Sequence, residues 1–417
     1  MPTTYLTPGI YIEEIPTGPR PIEAVGTSTA GFVGVAPNPD ARLNEAVPIN
    51  NWSQFVERFG APAAGATGST PLAQAVYGFF QNGGGRCYVV NVGTDGSLTG
   101  DGRGRKGLEA LEEVDEIAIV AAPGYADVVS YDALLTHCEK LKDRVAILDA
   151  PLSVENIDAL KTVATAPATK RARTGAAAEG EAGGGASTSA SSPAGMRPRP
   201  SDYGAFYFPW IVVRDPFSPK ELVPVPPSGH LAGIYARTDA TRGVHKAPAN
   251  ETIRGALDVT YRVTREEQGE LNTNGVNCIR LFASQGIRVW GARTLADSAS
   301  EWRYLNVRRL FNMIEEAISR GTRWVVFEPN DQALWKAIRR DVGAFLTLLW
   351  RSGALMGATP EESFFVQCDA ETNPPEVIDA GMVIAVIGIA PVKPAEFIIF
   401  RIGQGAGGAQ VETEGGK

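Results

Sequence analysis

Short apolar runs recur through the first half of the chain, at residues 30–36 (AGFVGVA), 87–92 (CYVVNV), 117–123 (IAIVAAP) and 145–151 (VAILDAP). Unbroken runs of this length mark strands covered on both faces. Between them the apolar period lengthens to that of helices, at Trp52–Phe59, Pro71–Phe80, Val128–Leu141 and Val154–Ala164. Pro71 suits a first helical turn, and Gly83, Gly84 and Gly85 end the segment it opens. A further strand is expected at 205–213 (AFYFPWIVV). Strands alternating with helices imply right-handed crossovers and a parallel sheet, hence a mixed α/β fold. The second half repeats the pattern. Pro226 and Pro227 precede Ser228, the expected N-cap of a helix through Tyr235. Strands follow at Val276–Phe282 and Ile287–Trp290, a helix from Ser300 to Arg320, a strand at 323–329, a helix over Asp331–Arg351 and a strand at 363–369. Two apolar strands, 382–392 and 396–402, close the pattern.

Residues 170–200 break this rhythm, being rich in Gly, Ala and Ser and nearly devoid of large apolar side chains. Such a stretch buries too little surface to offset its ordering entropy, and it reads as a flexible insertion within a crossover. Residues 403–417 read as a flexible tail. The terminal strand-like segments, GIYIEEI (9–15) and EFIIFRI (396–402), are each flanked by Pro or Gly. Each fits an edge strand of its own domain, and each equally fits a strand added to a neighbour's sheet.

The 417 residues suffice for two to three domains. With 39 Lys and Arg against 47 Asp and Glu, the net charge of −8 argues against a general nucleic-acid or anionic-membrane surface. No apolar run reaches the ~18 residues of a membrane span, and the first residues lack the basic and apolar regions of a signal peptide, so the chain is expected to be cytosolic when made. Cys87, Cys138, Cys278 and Cys368 are spaced neither as a disulfide framework nor as zinc ligands and read as small buried hydrophobes. His137, His230 and His245 leave few imidazoles for acid–base work. The glycine-rich GDGRGRKG (100–107) follows no strand and lacks the Ser or Thr of a phosphate loop. Asp149, at a strand end, stands where α/β enzymes place catalytic carboxylates, yet fits a turn cap as well. No metal or cofactor is implied.

On the helix 331–351, Leu334, Trp335, Ile338, Val342, Phe345, Leu346 and Leu349 share one face. Lys336, Arg340, Thr347 and Arg351 lie opposite, flanked by small Ala333, Ala337 and Ala344. Residues 280–351 carry twelve Lys and Arg against seven Asp and Glu, a net +5 within an acidic chain. The stripe fits either a solvated face or a flat surface for an acidic partner. Arg308 and Arg309 on the preceding helix are weaker candidates of the same type.

The stretches TPGIYIEEI, FYFPWIVVRDP, PPSGHLAGIYARTDATRGVHKAPAN (226–250), LNTNGVNCIRLFASQGIRVWGARTL (271–295) and WRYLNVRRLFNMIEEAI (302–318) resemble those of contractile tail sheath proteins of phages and related injection systems. The resemblance is dense from about 203 to 401, and the 170–200 stretch has no part in it. It implies a structural, non-enzymatic subunit that polymerises as stacked hexameric rings around an inner tube and contracts to drive the tube through a target envelope. Implied partners are further copies of the chain, the inner tube protein, and baseplate and terminal cap proteins, with neither nucleic acid nor direct membrane insertion. Assembly in the bacterial cytoplasm, as part of a phage tail or tail-like particle, follows. The implied layout is an N-terminal exchange arm (1–22), an outward α/β domain (23–225), a tube-facing α/β domain (226–392) and a C-terminal arm with its tail (393–417). Strand exchange is thereby assigned to Gly9, Ile10, Tyr11, Ile12, Glu13, Glu14 and Ile15, and to Glu396, Phe397, Ile398, Ile399, Phe400, Arg401 and Ile402. Tube contact is assigned to Lys336, Arg340 and Arg351, with Arg308 and Arg309 behind them. Competing readings are an α/β enzyme with its site near Asp149 or Asp369, and a filament or shell protein that does not contract.

Overall fold

The computed structural model describes residues 22–60, 69–100, 104–165 and 195–399. Gly9–Ile15 and Phe400–Ile402 lie outside the described residues. The strands are β1 (Ala30–Gly34), β2 (Val47–Ile49), β3 (Cys87–Asn91), β4 (Ile119–Ala121), β5 (Val145–Asp149), β6 (Gly204–Phe208), β7 (Ile211–Arg214), β8 (Leu222–Val225), β9 (Glu251–Thr252), β10 (Asp258–Val259), β11 (Val276–Phe282), β12 (Gly286–Val289), β13 (Phe364–Gln367) and β14 (Val386–Ile389). The principal helices are α1 (Trp52–Phe59), α2 (Pro71–Gln81), α3 (Val128–Leu141), α4 (Ser228–Arg242), α5 (Arg265–Thr273), α6 (Leu305–Gly321) and α7 (Gln332–Arg351).

Nine strands form the main sheet in the order β2-β3-β1-β4-β5-β6-β11-β12-β9. Its six central strands, β3 to β11 in that order, are parallel, and at the flanks β2 pairs antiparallel with β3, β12 with β11 and β9 with β12. Alternation along each strand divides the core. Phe32, Val89, Ala121, Ile147 and Tyr207 face α1, α2 and α4. Val33, Val90, Val120, Leu148 and Phe206 face the layer that holds α3 and α5. Five of these seven helices begin where the side-chain oxygen of the N-cap residue caps them: Asn51, Thr70, Asp127 and Asp331 each accept from a backbone N–H in the first turn, and Thr264 with Glu267 forms a capping box. All four cysteines are free and buried.

Several expected elements differ. The helix expected at Val154–Ala164 is only a 3-10 turn at Ile157–Leu160, because the carbonyls of Ala159 and Thr162 accept instead from Met196 N and Arg197 N of the returning chain. Val163 bridges Arg197 there, pinning together the two ends of the intervening segment. The 205–213 run is broken at the cis Phe208–Pro209 peptide into β6, in the main sheet, and β7, in a three-stranded sheet ordered β10-β7-β8. The expected strand at 323–329 pairs with no strand among the described residues and forms a 3-10 turn at Arg323–Val325, with Val326 and Phe327 exposed and Phe327 at φ 68°. Only Val386–Ile389 of 382–392 is extended as a strand, and residues 396–399 join no sheet among the described residues. The helix from Ser228 runs on to Arg242.

The boundary expected between residues 225 and 226 also moves. Gly229 and Gly233 of α4 meet Ala75 and Phe79 of α2 backbone to backbone, and β11, β12 and β9 extend the sheet begun at β1. The change of core comes at α6: Leu310, Met313 and Ile314 pack with Leu334, Ile338, Phe345 and Leu346 of α7 and with Leu355 and Cys368, beside the antiparallel pair β13–β14. Among the described residues no helix is long and apolar enough to cross a membrane.

The α2–α4 contact makes a sharp stability test. A Cβ on Gly229 would sit 2.3 Å from the Ala75 backbone, so Gly229→Ala is expected to cost about 3 kcal/mol, the upper range of overpacking. Gly269, in α5, has open space around it, and Gly269→Ala is expected to stabilise by about 0.5–1 kcal/mol. Urea unfolding of the unassembled chain measures both.

Candidate assembly surface

Helix α7 is fixed at its start by the Asp331 carboxylate, which accepts from Leu334 N at 2.9 Å. Its inner face, Leu334, Trp335, Ile338, Val342, Phe345 and Leu346, is buried, and the amphipathic pattern leaves Lys336, Arg340 and Arg351 exposed on the opposite side. Ala333 and Ala344 beside them are exposed, so the ridge has little relief. From Lys336 to Arg351 it spans about 22 Å at the helical rise. Arg340 Nε donates to Asp341 Oδ1 at 2.9 Å, whereas Lys336 and Arg351 form no ion pair among the described residues.

Arg308 and Arg309 are not on this surface, which corrects their assignment to tube contact. The Arg308 guanidinium stacks on Trp302 and Tyr203, donates to Asn312 Oδ1 and pairs with Asp202 and Glu315. Arg309 is 3% exposed and forms a fork with Asp239, donating Nη1 to Oδ1 at 3.0 Å and Nη2 to Oδ2 at 2.6 Å. Thr27 closes the group: its hydroxyl donates to Asp239 Oδ2, and its carbonyl accepts from Arg309. A helical arginine pair was readable from sequence as charge but not as burial, because Asp202 and Asp239, which draw the two inward, lie on distant segments.

Glu396 also has a role that the apolar pattern around it conceals. Its carboxylate accepts from Arg293 Nε at 2.9 Å and Nη2 at 2.6 Å, from Asn272 Nδ2 at 2.8 Å and from the Tyr304 hydroxyl at 3.4 Å. Burial raises its pKa, but the Arg293 and Asn272 hydrogen bonds outweigh this and hold it below the usual carboxylate range. Glu396 is therefore anchored within its own chain, whereas Phe397, Ile398 and Ile399 beyond it stand 74%, 73% and 81% exposed. Over a sequence separation of 103 residues no spacing signal links Arg293 to Glu396. Close by in the fold, β13–β14 is a sheet of two strands with Phe365 and Val386 exposed, as are Met382 and Ile384.

At the end of β5, Asp149 accepts from Ser228 N and Oγ, at 2.8 and 2.6 Å, and from Gly124 N at 3.3 Å. It caps α4. Burial pushes its pKa up to about 7 against the pull of those hydrogen bonds. Asp369, the other strand-end carboxylate, accepts from the backbone N–H groups of Glu371 and Thr372 in a turn.

The model for the phage tail sheath central domain matches residues 105–295, and that for the phage tail sheath C-terminal domain matches 297–404. The PVC sheath complex of an extracellular contractile injection system, solved in its contracted state, superposes with a TM-score of 0.74 at 31% identity, over 97% of this chain and 99% of that one. The chain belongs to the tail sheath protein family. The helical sheath of the anti-feeding prophage, also contracted, aligns at 31% identity with a TM-score of 0.71, over 96% of this chain and all of that one. The tail sheath protein of Vibrio phage KVP40 is 32% identical over 177 residues, 42% of this chain and 26% of that protein. The matched part spans less than half the length of the curated sheath relatives. The two sheath models meet between 295 and 297, a few residues before α6, where the change of core occurs.

For Asp149, native burial raises the pKa above its unfolded value near 3.9, so the protonated carboxyl favours folding. Its contribution is full below about pH 4 and is lost as pH rises through about 7. D149N removes this component, so the stability difference between wild type and D149N is expected to change between pH 5 and pH 8, as read by urea unfolding. For the internal arginine, D239N leaves Arg309 buried without its counter-charge and is expected to cost about 3–5 kcal/mol, whereas K336Q on the exposed ridge stays within ~0.5 kcal/mol. Thermal unfolding of the two variants side by side distinguishes the buried cation from the free one.

Proposed function

We propose that this chain is the sheath subunit of a contractile phage-tail-like injector, polymerising as stacked hexameric rings around an inner tube and contracting to drive that tube through a target envelope. The observation that carries this reading is the likeness, along nearly the whole chain, to a sheath in its contracted state. A subunit of this kind is structural, has no catalytic role, and works through contacts with its own copies, the inner tube, the baseplate and a terminal cap. It assembles in the bacterial cytoplasm and becomes part of a phage tail or tail-like particle.

The terminal arms are the links between copies. A two-stranded sheet is marginal alone and presents free edges, and β13–β14 offers these beside exposed apolar side chains. Residues 9–15 and 397–402 of neighbouring copies supply the strands that complete it. In this scheme Glu396 is the anchor of the arm rather than part of the donated strand.

Lys336, Arg340 and Arg351 form the contact to an acidic tube surface. Exposed ion pairs contribute roughly 0.2–1 kcal/mol each, so three per subunit in a ring of six give on the order of 10 kcal/mol. Such a ring is held firmly, yet each contact is flat and weak enough to release when the lattice rearranges. Energy for contraction then resides in the difference between two packings of one lattice.

K336E/R340E/R351E is expected to abolish assembly of extended sheath on the tube while leaving self-polymerisation intact. Negative-stain electron microscopy after expression with and without the tube protein reads this directly, and raising salt should weaken the wild-type tube contact in the same direction. Normal extended particles from the triple variant would overturn the tube-contact assignment. Only small discrete particles from wild type, at every salt and concentration, would overturn the sheath reading.

A further inference from the structure

Two positions fix the chain before the C-terminal arm leaves. At Val392 the backbone N–H donates to Ala354 O at 3.2 Å, and the carbonyl accepts from Asn306 Nδ2 at 3.2 Å. At Glu396 all the acceptor positions of a bidentate carboxylate are engaged: Oε1 by Arg293 and Asn272, Oε2 by Arg293 and Tyr304. Arg293 is itself held rigidly. Its third nitrogen, Nη1, donates to Asn272 O, its backbone N–H donates to Asn277 Oδ1, and its carbonyl accepts from Asn277 Nδ2 in the central sheet. The side chain of Arg293 is 9% exposed and that of Glu396 21%, so the fork is largely screened from water and ions. One residue later the chain turns fully outward, and nothing among the described residues covers Phe397, Ile398 or Ile399.

We propose that the Arg293–Glu396 clamp defines where the C-terminal arm leaves its own subunit and thereby fixes the length of chain that reaches the adjacent copy. This rests on the strand-exchange reading given above and adds a positioning role to residues that donate no strand. With the clamp closed, the free span begins at Phe397. With it open, the span begins after Val392, and the four added residues lengthen the reach by about 13 Å. That slack is close to three strand spacings, enough for an arm to pair with its acceptor sheet at more than one distance between subunits. The clamp thus converts a flexible arm into a tether of defined length, and it roots the tether in β11 of the main sheet and not in the small β13–β14 sheet.

Paired insertions separate this role from a general effect on folding. A Gly-Ser pair placed between Pro394 and Ala395 lies before the clamp and is expected to leave the polymer lattice as in wild type. The same pair placed between Glu396 and Phe397 lies beyond it and is expected to broaden or abolish the ring-spacing layer lines of the tubes seen by electron microscopy. E396A should behave like the second insertion, with exchange of the Val392 amide, which donates to Ala354 O, faster than in wild type, and the charge swap R293E/E396R should restore part of the lattice order. Equal lattices from the two insertions, or sharp wild-type layer lines from E396A, overturn the clamp. A chain ending at Ala395 tests the underlying reading separately. If it polymerises normally, strand exchange by this arm is wrong; if it fails to polymerise while both insertions assemble alike, strand exchange stands and the clamp is wrong.

Discussion

The Arg309–Asp239 ion pair is the link on which the arrangement of this subunit depends. It joins α6, the first helix of the C-terminal region, to α4, which is wedged against the main sheet, and Thr27 brings in the segment leading to β1. A buried bidentate pair of this sort adds little net stability compared with apolar packing, because both charges give up their hydration. Its value is geometric. The fork admits one relative placement of α4 and α6, and the stacking of Arg309 over Tyr235, itself hydrogen-bonded to Tyr207 of β6, extends that restraint into the sheet. The exposed ridge of α7 inherits its orientation through α6, and the route by which residues 22–29 enter the fold is set at the same point.

Local signals in the chain were most informative where they were self-contained. The limits of α1 and α3 coincide with those read from apolar period and capping residues, and α7 differs only in that Asp331 is its cap and not its first residue. The parallel order of the strands followed from alternation of element types. The readings that failed depended on distant partners. The Val154–Ala164 segment has a helical apolar pattern, but the returning chain takes its carbonyls. The 205–213 run is apolar throughout, as befits two strands of different sheets joined at a bend. At 323–329 there is strand composition without a neighbour to pair with.

The charged residues divide in the same way. Lys336, Arg340 and Arg351 were legible as one face because helical spacing alone puts them together. Arg308 and Arg309 carry the same charge, yet Asp202 and Asp239, each far along the chain from its arginine, draw them inside. Glu396 was hidden for the opposite reason: a lone carboxylate opening an apolar strand pattern looks like a solvent-facing position, and only the fold brings Arg293 to it. Asp149 was legible in place but ambiguous in role until Ser228 and Gly124 were seen to donate to it. Sequence therefore displayed the exposed charges of this subunit more clearly than the ion pairs that brace its interior.

The bridge between Val163 and Arg197 brings together the two points at which the chain departs from and rejoins the domain around residues 166–194. Because these two points are fastened side by side, the connection from β5 to β6 is closed at a fixed separation just outside that stretch. The cost of closing the chain between them grows only slowly with the number of residues enclosed. The closed crossover is therefore a point at which the number of residues in the chain can differ between relatives without a change in how β5 and β6 pair.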